Sequence, residues 1–489
     1  MPEYEAVIGL EVHVQLKTAS KMFTDAPAGF GQPPNSLTNA VVMGLPGTLP
    51  VLNQGAIEQA IKFGLIFDSE IPELFQWDRK NYFYPDSPKN YQLTQKDAPV
   101  CIGGEVEIEL AGASRNLAGE HKVIHLDHAH LEEDVGKLTH FATDSLVDYN
   151  RAGTPLLEIV TKPDLHSAEE AVALLQSIRM HLTSAGVSDC DMEKGQMRCD
   201  ANVSVRPVGQ EELNPRAEMK NLNSITGVKN AISYEIRRQA RVYEKGGTVA
   251  QETRRWDADA GRTTSMRSKE EAHDYRYFPD PDLLPVHFPR HRIEELKAEL
   301  PENVFDLQRR YESEYGLPYT LTSVICYDHE LARYFEAAMV VYDKNPKALA
   351  NYVANELQRE RSQAEGDGYL PMEQVRLSPR NLAGLVRLID EGKLTKQLAK
   401  EVIVDMFQGG DPAEAVMEAR GIKPVQQDSG QLEEWCRAAV AGNAVAAQQV
   451  RDGNDKAINS FIGPVMKASR GTANPQAVRE MLQKIISEG

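Results

Sequence analysis

The sequence predicts an α+β protein, with strands concentrated up to about Pro289 and helices after it. Three observations carry this. Ala6, Ile8, Leu10, Val12, Val14 and Leu16 alternate with a set that includes Glu11, His13 and Gln15, the period of a half-buried strand. Met197, Cys199, Ala201, Val203 and Val205 repeat the pattern around Arg198, Asp200, Asn202 and Ser204. Beyond Pro289 the apolar positions fall at helical spacing instead, as in Leu331, Phe335, Ala338 and Tyr342 behind a cap at Asp328.

At 489 residues the chain exceeds one ordinary core. The changes in texture divide it into residues 1–290, 291–410 and 411–489. A composition of 41% hydrophobic and 26% charged residues is that of a globular protein. No apolar run approaches the ~20 residues of a membrane helix, and Met1-Pro2-Glu3 leads straight into a strand, so the cytoplasm is the expected location. Five scattered cysteines argue against a disulfide framework and a thiolate zinc site. The net charge of -18 argues against binding nucleic acid through the whole surface but leaves room for a local patch.

In chain order, the Pro/Gly/Asn-rich segment 26–50 reads as an ordered loop, followed by a helix capped at Asn53 with Ile57, Ile61 and Leu65 on its stripe. Trp77 to Asp86 crowds cations and an amide among aromatics, a grip for a polar ligand with a flat part. Glu105, Glu107 and Glu109 form a face better read as solvated than functional. In the run from His125 to Asp134, alternation places His128, His130 and Glu132 on one face and His125 on the other, which disfavours a zinc triad. Leu156 to Val160 is apolar on both faces around Glu158, so a strand there buries a carboxylate that needs a partner. If Glu132 joins Glu11, His13 and Glu158 around one site, its carboxylate-rich character favours Mg²⁺.

Ser167 and Glu170 form a capping box ahead of Ala171, Leu175, Ile178 and Leu182. A second helix follows Ser224, with Ile225, Val228, Ile232, Ile236 and Tyr243 on one side and Arg237, Arg238 and Arg241 elsewhere. The stretches around Thr253 to Asp257, Met266 to Lys269 and Tyr275 to Asp282 again join cations to aromatics, a pairing suited to phosphate oxygens and a base. Neither the P-loop pattern nor the dinucleotide-binding glycine fingerprint occurs, so an ATP site here needs another design. Gly409-Gly410-Asp411-Pro412 breaks the helical run, and Asp411 to Gly489, with nine Lys/Arg and ten Asp/Glu, is nearly neutral, which makes it the place where RNA contact is expected.

Taken together, Ile8-Gly9-Leu10-Glu11-Val12-His13-Val14, Arg79 to Asp86, Leu131-Glu132-Glu133-Asp134, Asn150 to Glu158, Arg198 to Asn202, Lys220 to Ser224 and Tyr275 to Pro279 resemble the GatB family of tRNA-dependent amidotransferase components. The resemblance spans essentially the whole chain. It implies a largely antiparallel, cradle-shaped kinase domain, a helical domain and a YqeY-type tail that contacts tRNA. It implies ATP-dependent phosphorylation of the side-chain carboxylate of Glu-tRNA(Gln), Asp-tRNA(Asn) or both, with ammonia then displacing phosphate.

By position, the resemblance implies that Glu11, His13, Glu132 and Glu158 form the Mg²⁺ and reacting-group site, with Asp200 as a further acid. Lys80, Asn81 and Tyr82 would position substrate or nucleotide, and Arg254, Arg267 and Lys269 are phosphate candidates. It further implies a heterotrimer in which the amidase component GatA supplies ammonia and the small component GatC clasps both. The chain departs from the family in one loop: many relatives carry four cysteines where Thr24, Ala26, Asn39 and Val42 stand here, so no structural zinc is expected and packing must hold the loop. A reading in which the chain only positions tRNA for a catalytic partner stays open at this point.

Overall fold

The computed structural model describes residues 3–268, 274–364, 370–422, 429–451, 454–469, 473 and 475–488. It divides into two compact units, Met1–Val304 and Phe305–Gly489. Among the described residues of the first unit, twelve strands join one sheet. In chain order they are β1 (Tyr4–Gln15), β2 (Asp78–Asn81), β3 (Tyr91–Thr94), β4 (Cys101–Ile102), β5 (Glu105–Glu109), β6 (His121–Glu133), β7 (Pro155–Thr161), β8 (Met197–Pro207), β9 (Ala217–Leu222), β10 (Glu252–Asp257), β11 (Arg262–Ser268) and β12 (Phe278–Pro279). Across the sheet the order is β11-β10-β9-β8-β1-β7-β6-β3-β2-β12, with β4 and β5 also pairing to β6. Every pairing is antiparallel except β9 with β10.

β1 is interior to this sheet, and its two faces divide as the alternation predicts. Ala6, Ile8, Leu10, Val12 and Val14, with Leu16 just beyond, are each at most 5% exposed and enter one core. The same core takes the apolar stripes of α1 (Gln54–Ile66), α2 (Ala168–Ser184) and α3 (Ile225–Glu244). Capping sets where these helices start: the side chains of Asn53, Ser167 and Ser224 accept from the backbone N–H groups of Ala56, Glu170 and Gly227. With the helices covering one face of the central strands, their polar residues are left to the other face.

Two sequence expectations need correcting. The first unit does not end at 290, because α4 (Arg290–Glu299) packs on α1: Leu296 is fully buried, Arg292 forks onto Glu58 at 3.1 and 3.0 Å, and Lys62 reaches Glu299 at 2.8 Å. Nor does a new unit begin at 411. Gly410, with φ of 83°, closes the helix Lys396–Gly409, and the next helix, Ala413–Ala419, folds back onto Lys396–Gly409 and Pro379–Asp390. Within the second unit, Leu432, Cys436, Phe461, Val465, Val478, Leu482 and Ile486 belong to a cluster of their own. No helix among the described residues is long and apolar enough to cross a membrane.

The loop after Phe23 is held from within. The Asn39 amide donates to the Thr24 hydroxyl at 2.6 Å, and its oxygen accepts from the backbone N–H groups of Val41 and Val42. Ala26, Val42 and Ala152 close an apolar cluster against Tyr149. Thus Thr24, Ala26, Asn39 and Val42 are joined by hydrogen bonds among themselves and by one hydrophobic contact patch.

Candidate active site

The polar face of the central strands forms the site, and strand register decides which residues meet. His13 lies opposite Glu158 on β7 and opposite Arg198 on β8, while Glu158 lies opposite His130 on β6. Arg198, His13, Glu158 and His130 therefore make one row across four strands. Two residues along β6 comes Glu132, opposite Leu156. Two residues the other way along β1 comes Glu11, opposite Asp200. Because side chains alternate with a period of two, all of these point away from the core.

His13 Nε2 is 3.2 Å from an oxygen of Glu158 and 3.8 Å from one of Glu132, and one ligand atom from each of the three lies within 4.8 Å of the others. Glu11, Asp200 and Glu218 make a second such group. There the Asn202 amide donates to Glu11 at 3.0 Å, and Lys220 reaches Asp200 at 2.6 Å and Glu218 at 2.8 Å. Two carboxylates with an imidazole, beside three more carboxylates, are donors a hard divalent ion accepts. Glu158 proves half-buried rather than enclosed, its side chain being 17% exposed.

Charge crowding shifts these groups. Burial, with the neighbouring Glu158 charge, pushes Glu132 up to about 7. Glu11 is raised by burial and then by Glu158 and Asp200. Burial opposes the charge on Glu158 too, but the hydrogen bond from His13 and the nearby His130, His13 and Lys80 hold it well below the usual carboxylate range. His13 is raised: burial would lower it, and Glu158 with Glu132 outweighs burial. Burial takes His130 down to about 4. A face that raises the proton affinity of two carboxylates is one that a cation relieves.

A cleft of ≈ 370 Å³ opens over these rows, lined by His13, Lys80, Tyr82, Gln92, Glu132, Asp134, Arg198, Asp200 and Tyr275 among others. Lys80 stands 5.2 Å from the centre of the Tyr275 ring. Burial disfavours its charge, but Glu132 and other neighbours leave its proton affinity raised. Asp134, itself buried, accepts from Arg198 at 2.8 Å and from Gln15 at 2.9 Å.

Of the residues singled out from sequence, His13, Glu132, Asp200, Lys80 and Tyr82 line the cleft, while Glu158 meets His13 and Glu11 groups with Asp200 in the rows beside it. Asn81 is not a cleft residue: its amide donates to the carbonyl oxygens of Tyr275 and Arg276, anchoring the segment that carries Tyr275. Arg254 does not line the cleft either. It sits on β10, donating to Thr263 at 2.8 Å and paired with Glu252 and with the buried Glu235 of α3. Arg267 pairs through its backbone with Thr253, its side chain lying outside the described residues, as does the whole of Lys269.

Sequence reasoning named Arg198, Asp134, Lys220, Glu218 and Tyr275 only as parts of polar or aromatic stretches, without individual roles, and did not single out Gln92. The alternation through Arg198, Asp200 and Asn202 was signal enough for Arg198. Glu218, opposite Asn202, shares that alternation with Lys220 on the neighbouring strand.

Comparison with known proteins identifies the family. Residues 6–294 match the family described as the GatB/GatE catalytic domain, and residues 333–486 match the GatB domain. The chain is 54% identical over 485 residues to the B subunit of the aspartyl/glutamyl-tRNA(Asn/Gln) amidotransferase of Opitutus terrae, covering 99% of each. It is 44% identical to the proteins of the same description from Thermoanaerobacter pseudethanolicus, over 99% of this chain and 100% of that protein, and Carboxydothermus hydrogenoformans, over 100% of each.

Proposed function

The chain belongs to the GatB family, ligase-type components of multisubunit tRNA-dependent amidotransferases, and on that premise we propose that its cleft activates a tRNA-borne carboxylate with ATP. An oxygen of the Glu or Asp side chain on Glu-tRNA(Gln) or Asp-tRNA(Asn) attacks the γ-phosphorus of ATP, and ADP leaves. Ammonia then attacks the carbonyl carbon of the acyl phosphate, phosphate departs and the amide remains. The first step is needed because a carboxylate resists nucleophiles and its oxygen leaves poorly.

The observation that carries this reading is the row in which His13 and Glu158 meet beside Glu132 under a cleft flanked by Lys80 and Arg198. Phosphoryl transfer is catalysed mainly by positioning and by neutralising charge on the transferred group. Mg²⁺ held by His13, Glu132 and Glu158, with Glu11 close by, would supply that neutralisation. Lys80 and Arg198 present fixed positive charge to the phosphate oxygens, and the Tyr275 ring beside Lys80 offers a flat surface. The raised Glu11 carboxyl, in the next row, is placed to take a proton from the attacking ammonia. Ammonia comes from an amidase partner of the GatA kind through a channel, GatC completes the heterotrimer, and the C-terminal residues contact the tRNA.

The test assembles the chain with GatA and GatC, ATP, Mg²⁺, ammonium in place of glutamine, and each misacylated tRNA in turn, following ADP and amide together. We expect both products with at least one tRNA and a loss of at least ~10²-fold in both in Glu158→Gln. ADP and amide persisting in that variant would move the chemistry to another residue or another component of the complex and leave this chain as the tRNA-positioning part.

A further inference from the structure

The loop over residues 82–90 carries aromatic rings into solvent on a backbone that is tied down along its length. The Tyr82 N–H donates to the Asn90 carbonyl oxygen at 3.0 Å, the Gly136 N–H to that of Asp86 at 2.8 Å, and the Tyr149 hydroxyl to that of Pro85 at 2.7 Å. On this fixed backbone Phe83 is 70% exposed and Tyr84 46%. The Tyr84 ring stacks on Tyr82, with centroids 5.7 Å apart and 25° between planes, so the wall that Tyr82 gives the cleft continues past its edge through Tyr84. Exposed rings held this firmly add little to a core and form a preorganised surface for a flat ligand.

A second aromatic strip meets the cleft at Tyr275. Its ring lies 5.9 Å from that of Tyr277, and Lys96 stands 5.8 Å from the centre of the Tyr277 ring. Arg276, between the two tyrosines, is exposed and held at φ of 43°, a left-handed conformation that a residue other than glycine rarely adopts and keeps only where its surroundings impose it. The Asn81 amide braces it by donating to the carbonyl oxygens of Tyr275 and Arg276. Although the chain has a net charge of -18, among the described residues no carboxylate forms an ion pair with Lys80, Lys96 or Arg276. Lys80 lines the cleft, whereas Lys96 and Arg276 lie outside it. Rings interleaved with unpaired cations are what proteins offer to single-stranded nucleic acid.

We propose that this rim binds the 3′ end of the misacylated tRNA: the base of the acylated terminal nucleoside stacks on Tyr84, and the phosphates that precede it lie against Lys96 and Arg276. The inference rests on the reading that the cleft activates a tRNA-borne carboxylate. Position separates this ligand from ATP, which also carries a base. An acylated nucleoside puts its reacting carboxylate into the cleft and the rest of its strand outside, so it needs a ring at the mouth and cations beyond. ATP ends at its adenosine and has all its phosphates on the side of the transfer, where cations outside the mouth meet nothing. Unpaired bases that can be splayed onto a ring are the usual handle by which RNA ends are held.

The experiment uses the chain assembled with GatA and GatC and two misacylated tRNAs that differ only at the terminal nucleoside, one with its base intact and one with an abasic ribose. Amide formation at saturating ATP and ammonium gives kcat/KM for each. We expect the abasic substrate to lose at least ~10-fold in the unaltered complex, the worth of one stacked base. In Tyr84→Leu the intact substrate should fall to the abasic level, with the KM for ATP within about twofold, and Tyr84→Trp should restore the difference. Arg276→Gln should weaken both tRNAs alike and flatten the salt dependence of KM. Equal kcat/KM for the two substrates in the unaltered complex would overturn the proposal without any variant having to fold. A Tyr84→Leu complex that still distinguishes them, or one whose KM rises for ATP instead, overturns it as well. The comparison of terminal bases needs only that amide forms, whichever component forms it, whereas ADP release in Glu158→Gln tests the underlying reading, so the two can fail independently.

Discussion

The Lys220 ammonium donates to a carboxylate oxygen of Asp200 across 2.6 Å, and that contact makes it the internal counter-ion of the acidic group beside the cleft. Burial would lower its proton affinity, but Asp200 and Glu218 raise it well above that of a free lysine. Lys220→Met leaves Glu11, Asp200 and Glu218 facing one another without a fixed cation. We expect a loss of about 1–2 kcal/mol in metal-free buffer, a modest figure because Lys220 is partly exposed, and a larger recovery with millimolar Mg²⁺ than the unaltered chain shows. Thermal melts with and without Mg²⁺ decide it. An equal Mg²⁺ response in both proteins would mean that Lys220 does not balance this group.

Arg254 is expected to act on stability rather than on nucleotide binding. Its partners include Glu235, which is fully buried on α3. Arg254→Met would strip that carboxylate of one partner, Arg238 remaining as another, at a cost of about 2–4 kcal/mol in urea unfolding. The KM for ATP should stay within about twofold. A raised KM with unchanged stability would return Arg254 to the phosphate site.

Lys21 has no accessible surface, donates to the carbonyl oxygen of Ala152 at 2.7 Å, and is pushed by burial from 10.5 down to about 8. A lysine whose folded-state value lies below its unfolded one binds fewer protons when folded between those two values. Stability must therefore rise with pH from about 8 to 10.5. Lys21→Met should flatten that rise in denaturant titrations run at pH 7, 8, 9 and 10. Identical slopes in the two proteins would show that the ammonium is not under strain.

The loop after Phe23 offers a constructive test. Because Thr24, Ala26, Asn39 and Val42 already sit together, four cysteines at these positions should capture one zinc ion per chain and raise the melting temperature. Elemental analysis gives the count. The unaltered chain should contain no stoichiometric zinc, and finding it there would overturn the view that packing alone holds the loop. Asn39→Ala should cost about 1 kcal/mol through its lost hydrogen bonds.

How far the sequence could be read depended on whether a feature is local. The two faces of β1 and β8 were legible because a period of two is a local property, and so were the caps at Asn53, Ser167 and Asp328. The setting of Arg254 was not legible for a non-local reason. Its partner Glu235 lies on a different element, and only the packing of α3 on the sheet brings the two together. Glu218 was legible only as part of a polar face, because which residues it meets depends on its pairing with Asn202 on another strand. The boundary at 290 failed because α4 looks like its helical successors in sequence, while Leu296 and Arg292 commit it to α1.

The row from Arg198 through His13 and Glu158 to His130 draws its members from four strands, and the chain between the outermost two in sequence passes through most of the first unit. Nothing of this row exists in a partly folded chain. A slip of one residue in β7 would send Glu158 into the core and leave the histidines facing empty space. Cation affinity at this row, as proposed, would then be a late signal, acquired only when the longest-range pairings have closed, and an ion in the surrounding solution would pull the equilibrium toward those pairings by mass action. The metal that serves the chemistry would also certify, molecule by molecule, that the sheet has been assembled in its correct register.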